Sequence, residues 1–437
     1  MSDTRQRSCD VAVIGAGMAG MAAALFAAER GLSCIQIGNG GGILYASGLL
    51  DLMGVQPAAE GLVWRSPYAA LAALAREQPD HPLARVDAGS IRAAFESFVT
   101  ALGAAGIAYA PLGDRNRSVL TSIGTIKTTF GVPRAMVAGA YALEARPPCL
   151  LVDFRGLREF SAHQIVATLG AGWTGLRHER IEFPGCDAVP ELYAAHLARA
   201  LETRETCERT IALLQPLLGD VHVVGLPAVL GLGRSDEVHA AFEKGLGVPV
   251  FEIPTMPTSV PGLRLLGALE EAVSARGVSR RVHADVRSLA FDADGGTASL
   301  ILESASGGEG GERVLARSVV LATGRFTGRG LTADRGRVRE SLLGLHVHQP
   351  ASREAWHQRD FLAPSGHAVN RAGLLVDDAW RPLDVGGNPV CHRLFAVGSI
   401  LAHQDWVRSK CGSGLAIATA WAAIEQAARE IRATVSG

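Results

Sequence analysis

The residues with the clearest chemical potential are Gly15, Gly17 and Gly20, in the run Val13-Ile14-Gly15-Ala16-Gly17-Met18-Ala19-Gly20. A G-x-G-x-x-G spacing that follows a strand and opens a helix is a phosphate-binding turn. Gly15 makes the tight turn, Gly17 lets the backbone approach a phosphate, and Gly20 lets helix and strand pack closely. The helix N-terminus adds free N–H donors and partial positive charge. A dinucleotide site of this kind normally ends its second strand in Asp or Glu, which holds a ribose hydroxyl. Here that strand ends Gln36-Ile37-Gly38-Asn39, which leaves Asn39 as a neutral candidate for the hydroxyl.

Two later motifs extend the site. Val319-Val320-Leu321-Ala322-Thr323-Gly324 reads as a buried strand ending in Ala-Thr-Gly, a sequence found where a chain returns to a flavin domain. Leu394-Phe395-Ala396-Val397-Gly398-Ser399, followed by Gly412-Ser413-Gly414 and a long helix, brings a second helix N-terminus to the same cofactor. Ser399 stands where many flavoproteins carry an acid. A glycine-rich loop over 39–48 contributes Ser47 and Gly48. The order of these motifs points to a flavin. Its candidate contacts are Gly15, Gly17, Gly20, Asn39, Ser47, Gly48, Thr323, Gly324, Gly398, Ser399, Gly412 and Gly414.

Arginine suits bidentate recognition of phosphate. In the cluster Arg325, Arg329, Arg335, Arg337 and Arg339, the candidates for an anionic substrate or flavin phosphate are Arg335 and Arg339. His346, His348 and His403 lie in the C-terminal flavin region, but none is singled out as acid or base, so the catalytic residue stays unassigned. No Ser-His-Asp order and no metal-ligand spacing stands out, and no metal is expected. Seven cysteines without a CxxC pair argue against a dithiol reductase or zinc ribbon and suit a reducing cytoplasm. Among them Cys411 sits beside the glycines of a cofactor loop.

These residues need a scaffold. Among 437 residues, 42 Lys and Arg balance 43 Asp and Glu, which gives no footprint for a nucleic acid. Aromatics are only 5% of the chain, so small aliphatics must fill the core. The apolar run Val11–Ala28 imitates a signal peptide or membrane helix, yet its glycines and its end in Glu29-Arg30-Gly31 favour a strand–turn–helix. Strands are expected at 10–14, 33–37, 221–226, 248–253, 318–321 and 393–397. A hairpin is expected from 281–286 and 297–304, with a polar turn at 307–311. Helices are expected at 16–29, 68–76, 90–102 with Ser90 as N-cap, 191–215, 262–276 and 414–431. The stretch to about 155 reads as rich in strands and loops. Together these describe an α/β, Rossmann-like flavoprotein fold. Residues 1–61 and 262–437 form the split flavin domain, and 62–261 form an inserted α+β substrate or capping domain.

The chain resembles the B-subunit family of anaerobic glycerol-3-phosphate dehydrogenase over essentially its whole length. The most specific stretches are Ala46-Ser47-Gly48-Leu49-Leu50-Asp51-Leu52 and Pro254-Thr255-Met256-Pro257-Thr258-Ser259-Val260-Pro261-Gly262-Leu263-Arg264-Leu265. Arg335-Gly336-Arg337-Val338-Arg339-Glu340, Arg359-Asp360-Phe361-Leu362-Ala363-Pro364 and Cys411-Gly412-Ser413-Gly414 complete the set. The resemblance implies a flavoprotein subunit carrying FMN, with FAD as the alternative. It implies work with a catalytic A-type subunit bearing FAD and a membrane-anchoring, iron–sulfur C-type subunit. Such complexes oxidise sn-glycerol 3-phosphate to dihydroxyacetone phosphate and pass electrons to quinone. The protein would then be cytoplasmic, held on the inner face of the membrane by its partners. Two other readings are a stand-alone flavin dehydrogenase of the fumarate-reductase type and a non-catalytic electron-transfer scaffold.

Overall fold

The computed structural model describes residues 6–186, 189–292, 295–304 and 311–436; the turn expected at 307–311 falls, apart from Gly311, outside them. The chain forms two compact units. The first comprises Met1–Gly42, Asp51–Phe98 and Glu270–Gly437, and the second Ile43–Leu50 and Val99–Leu269. The expected boundaries at 61/62 and 261/262 follow Gly- and Pro-bearing sequence, whereas these divisions at 98/99 and 269/270 fall within helical residues that carry no linker signal.

The first unit is built on one sheet. Its central strand, Glu312–Leu321, runs parallel to Gln6–Ile14, which runs parallel to Cys34–Ile37, which runs parallel to Ser279–Arg281. The N-terminal half of Glu312–Leu321 pairs with the antiparallel hairpin Ala284–Phe291 and Ala298–Ser304. Its C-terminal half pairs in parallel with Leu394–Ala396. Val11, Ala12 and Val13 are fully buried, as expected of a strand covered on both faces. The helix Met18–Glu29 follows, with Gly17 as N-cap. It packs on the last helix, Gly412–Ser436, where the rings of Phe26 and Trp421 meet edge-on at 5.0 Å. Arg281, expected in the hairpin, instead pairs with Ile37 in the parallel part of the sheet.

The second unit has its own four-stranded sheet, all parallel, in the order Leu176–Ile181, Cys149–Phe154, Val223–Pro227, Val250–Ile253. Only the short hairpin Arg117–Leu120 with Ile126–Thr129 is antiparallel among the described strands there, so this unit is more nearly α/β than the expected α+β. A helix at Arg134–Ala145 occupies sequence read as strand and loop. Gly139 sits in its middle and weakens any local helix signal. The position needs glycine, because a Cβ there would lie 2.4 Å from the Phe251 ring. The long helix expected at 191–215 is two, Ala194–Leu201 and Arg204–Leu214. At the break, the Glu202 carboxylate accepts the N–H groups of Leu232, Gly233 and Arg234 at 2.8, 2.6 and 2.9 Å. Ser90 is not a cap: the Asp87 carboxylate accepts its N–H instead. Among the described residues no helix is long and apolar enough to cross a membrane.

Candidate functional site

The site begins where three parallel strands of the first unit end side by side. The Ala322 N–H donates to the Ile14 carbonyl at 2.8 Å, and the Val397 N–H donates to the Leu321 carbonyl at 3.0 Å. Gly15, Thr323-Gly324 and Gly398-Ser399 therefore leave the sheet at neighbouring strand ends. Gly15 has φ +117°, and a Cβ there would lie 2.2 Å from the Ala322 carbonyl oxygen. A Cβ on Gly20 would lie 2.0 Å from the Gly15 carbonyl oxygen. Gly398 has φ +75° and presses on Ala19, with its N–H given to the Thr419 hydroxyl at 2.9 Å. A Cβ on Gly324 would come within 3.7 Å of the Ser399 hydroxyl.

Gly17 is different. Its φ of −72° suits any residue, and a Cβ would meet nothing within 4 Å. The protein's own packing gives no reason for glycine here, at the N-cap of a helix whose first turn holds no acidic residue. The space in front of it is open and electropositive. A second observation agrees: the Thr323 hydroxyl is buried and has no partner among the described residues. An open cradle of N–H donors with an unsatisfied hydroxyl close by in the fold fits a phosphorylated cofactor.

The other expected contacts are placed as follows. Asn39 is exposed, and its side-chain oxygen already accepts the His283 N–H at 2.9 Å. Gly38 reaches the turn instead, where a Cβ would lie 3.5 Å from the Gly15 Cα. Gly412 and Gly414 have internal reasons to be glycine. Cβ atoms there would lie 2.9 Å from the Trp406 ring and 2.6 Å from the Leu52 carbonyl. Ser47 and Gly48 belong to the second unit, where Gly48 packs on Pro261 and accepts the Tyr109 hydroxyl at 2.6 Å. The Cys411 thiol is fully buried, and burial raises its pKa far above the usual range, so it is not a thiolate.

Arg335 and Arg339 lie on the hairpin Leu331–Ala333 with Val338–Glu340, both exposed, and Arg339 is paired with Asp334 at 2.7 Å. Arg325, which its sequence context does not single out, follows Gly324 directly. Its guanidinium holds the carbonyls of Val369 and Asn370, and its Nε is buried without a partner among the described residues. Burial lowers its pKa, opposed by Asp405.

Three histidines gather beyond the Gly398 loop. The His348 and His403 rings lie 4.5 Å apart, and His403 holds a left-handed φ of +63°. His81 is buried; its Nδ1 accepts the Leu83 N–H, and its Nε2 has no partner among the described residues. Burial brings its pKa down to about 4, helped by His403. Burial and then His348 also lower His403. His81 escapes sequence reasoning because its neighbour is more than 300 residues away along the chain. Among the described residues no group of His, Cys, Asp or Glu is arranged to hold a metal.

Residues 10–415 match the FAD binding domain family. A Halobacterium salinarum protein, named as the probable B subunit of anaerobic glycerol-3-phosphate dehydrogenase, is 33% identical, covering 97% of this chain and 98% of its own. Proteins from Pectobacterium atrosepticum and Vibrio vulnificus, each named as the B subunit of anaerobic glycerol-3-phosphate dehydrogenase, are 29% and 28% identical. Each match covers 96% of this chain, with 99% and 96% of the relatives' own lengths. The matched family is an FAD family, and the expectation of FMN as the flavin finds no support in it.

Proposed function

Because the chain belongs to the FAD binding domain family and, within it, to the B-subunit family of anaerobic glycerol-3-phosphate dehydrogenase, we propose that it is one of the flavin-bearing members of a glycerol-3-phosphate-oxidising complex. It is a flavin-binding oxidoreductase subunit. The observation that carries the reading is the cradle formed by Gly15, Gly17, Thr323, Gly324, Gly398 and Ser399 at three adjacent strand ends.

The flavin is proposed to be FAD. Gly17 and the first free N–H groups of the helix Met18–Glu29 would hold its phosphates, and the Thr323 hydroxyl would take a hydrogen bond from or give one to it. Gly15, Gly20 and Gly38 keep the turn thin enough for that approach. Once bound, a flavin supplies a two-electron acceptor for oxidation of an alcohol to a ketone. Gly412 and Gly414 are proposed as further cofactor contacts. Arg335 and Arg339 are proposed to hold the phosphate of sn-glycerol 3-phosphate, with dihydroxyacetone phosphate as product and quinone as the distant electron acceptor. An A-type subunit bearing FAD and a membrane-anchoring C-type subunit would complete the assembly and hold it at the inner face of the membrane.

The test is purification of the full chain with and without these partners, acid extraction of the flavin, and dye-linked oxidation of glycerol 3-phosphate. Stoichiometric FAD, with turnover that requires the partners, is expected. A colourless chain would overturn the flavin reading, and robust turnover by the isolated chain would favour the stand-alone dehydrogenase.

A further inference from the structure

The stretch Arg359-Asp360-Phe361-Leu362-Ala363-Pro364 takes no part in the cradle, yet its two large apolar residues, Phe361 and Leu362, point outward. Phe361 is 86% exposed and Leu362 82%. The loop that presents them is braced. The Ala363 N–H donates to the Asp360 carbonyl at 3.0 Å, and the Gly366 N–H donates to the Ala363 carbonyl at 3.0 Å. The two Nη atoms of Arg408 donate to the carbonyls of Pro364 and Ala363 at 3.0 and 2.5 Å, and Arg371 donates to that of Ser365 at 3.0 Å. His367 accepts the Gln358 N–H on Nδ1, so its Nε2 carries the proton and donates to the Phe361 carbonyl at 3.0 Å. Arg408 also ties the loop to the short helix Trp406–Ser409, whose Trp406 and Val407 are 42% and 51% exposed.

Leaving a Phe-Leu pair in water on a braced loop gains the isolated chain nothing. A pre-ordered apolar anchor does lower the entropy cost of docking, and buried aromatic anchors dominate interface energies. The exposed cations flanking the loop and the short helix along the chain are Arg359 and Lys410, against one acid on the loop, Asp360. Arg371 and Arg408 are spent on backbone carbonyls rather than left for lipid headgroups, and Asp360 adjoins the anchor pair. A shaped protein socket suits this better than an anionic bilayer.

We propose that loop 359–367, with Trp406 and Val407, is the docking element for a partner protein that offers an apolar socket with an acidic rim. This rests on the reading of the chain as one member of a complex. The experiment is co-expression of the full chain with tagged A- and C-type subunits from the same source, followed by co-purification and measurement of the complex Kd. Flavin content and melting temperature serve as folding controls. Phe361→Ser with Leu362→Ser is expected to weaken assembly by about tenfold or more while both controls stay at wild-type values. Arg359→Glu, at an exposed position, is expected to weaken it several-fold at low salt and less at high salt. A double variant that assembles like wild type overturns the assignment. So does a variant whose only loss is self-association on a sizing column or binding to phosphatidylglycerol vesicles. A wild-type chain that assembles with neither of the two overturns the complex-member reading and this proposal with it.

Discussion

Gly20 lies so close to Gly15 that a Cβ on it would sit 2.0 Å from the Gly15 carbonyl oxygen, while one on Gly17 would meet nothing within 4 Å. Two glycines of one motif therefore serve different ends. Gly20→Ala is expected to drive the helix off the strand and destabilise the fold by more than about 3 kcal/mol, as overpacking against backbone does. Gly17→Val should leave the apo melting temperature within a few degrees but abolish the yellow absorbance. Thermal melts and flavin titration of the two variants separate the roles. Loss of folding in Gly17→Val, or full flavin retention, would break the assignment of Gly17 to phosphate.

The buried Thr323 hydroxyl has no partner among the described residues. Removing an unsatisfied buried hydroxyl is nearly neutral or stabilising. Thr323→Val should therefore keep or raise apo stability while weakening flavin binding by about tenfold, the worth of one hydrogen bond. Parallel differential scanning and flavin titration check both halves.

Asn39 spends its carbonyl oxygen on the His283 N–H. Asn39→Asp can keep that bond with one carboxylate oxygen and offer the other to a ribose hydroxyl. FAD affinity should rise by roughly tenfold in the variant, with riboflavin-5′-phosphate affinity unchanged. Equal gains for both flavins would show that no adenosine ribose lies near this residue.

His81 sets a pH limit on stability. Its pKa falls from 6.5 when unfolded to about 4 when folded, mainly through burial. Between those values the unfolded state binds more protons, so stability is intact above pH 6.5 and is lost as pH falls toward 4. The shift corresponds to about 3 kcal/mol at acid pH. His81→Gln should flatten this dependence in melts taken across that window, apart from the smaller contribution of His403. An unchanged acid slope would refute it.

Arg339 is held by Asp334 on an exposed hairpin. If it is to take the substrate phosphate, this neighbour competes. Asp334→Asn should lower the KM for glycerol 3-phosphate several-fold and Arg339→Ala should raise it, with kcat little changed, because exposed pairs are weak and readily exchanged. Steady-state kinetics of the assembled complex decide it, and identical KM values in all three proteins would remove the hairpin from the substrate site.

Sequence by itself determined the local chemistry of the cradle. The spacing of Gly15, Gly17 and Gly20, the apolar run before them and the Ala-Thr-Gly after Leu321 are each legible within a few residues, because tight turns and buried parallel strands constrain neighbouring positions. Tertiary structure decided which glycines answer to the protein and which face open space, since only the fold brings Ala322 against Gly15 and Leu52 against Gly414. It also decided that the inserted unit carries a parallel sheet. The helix Arg134–Ala145 there is stabilised by packing Gly139 on Phe251, a contact that no local pattern encodes. The histidine cluster was hidden for the same reason: the His348 and His403 rings meet through long-range packing, with His81 within electrostatic reach of His403, and the lowered basicity of His81 and His403 is a property of burial rather than of any residue's neighbours in the chain.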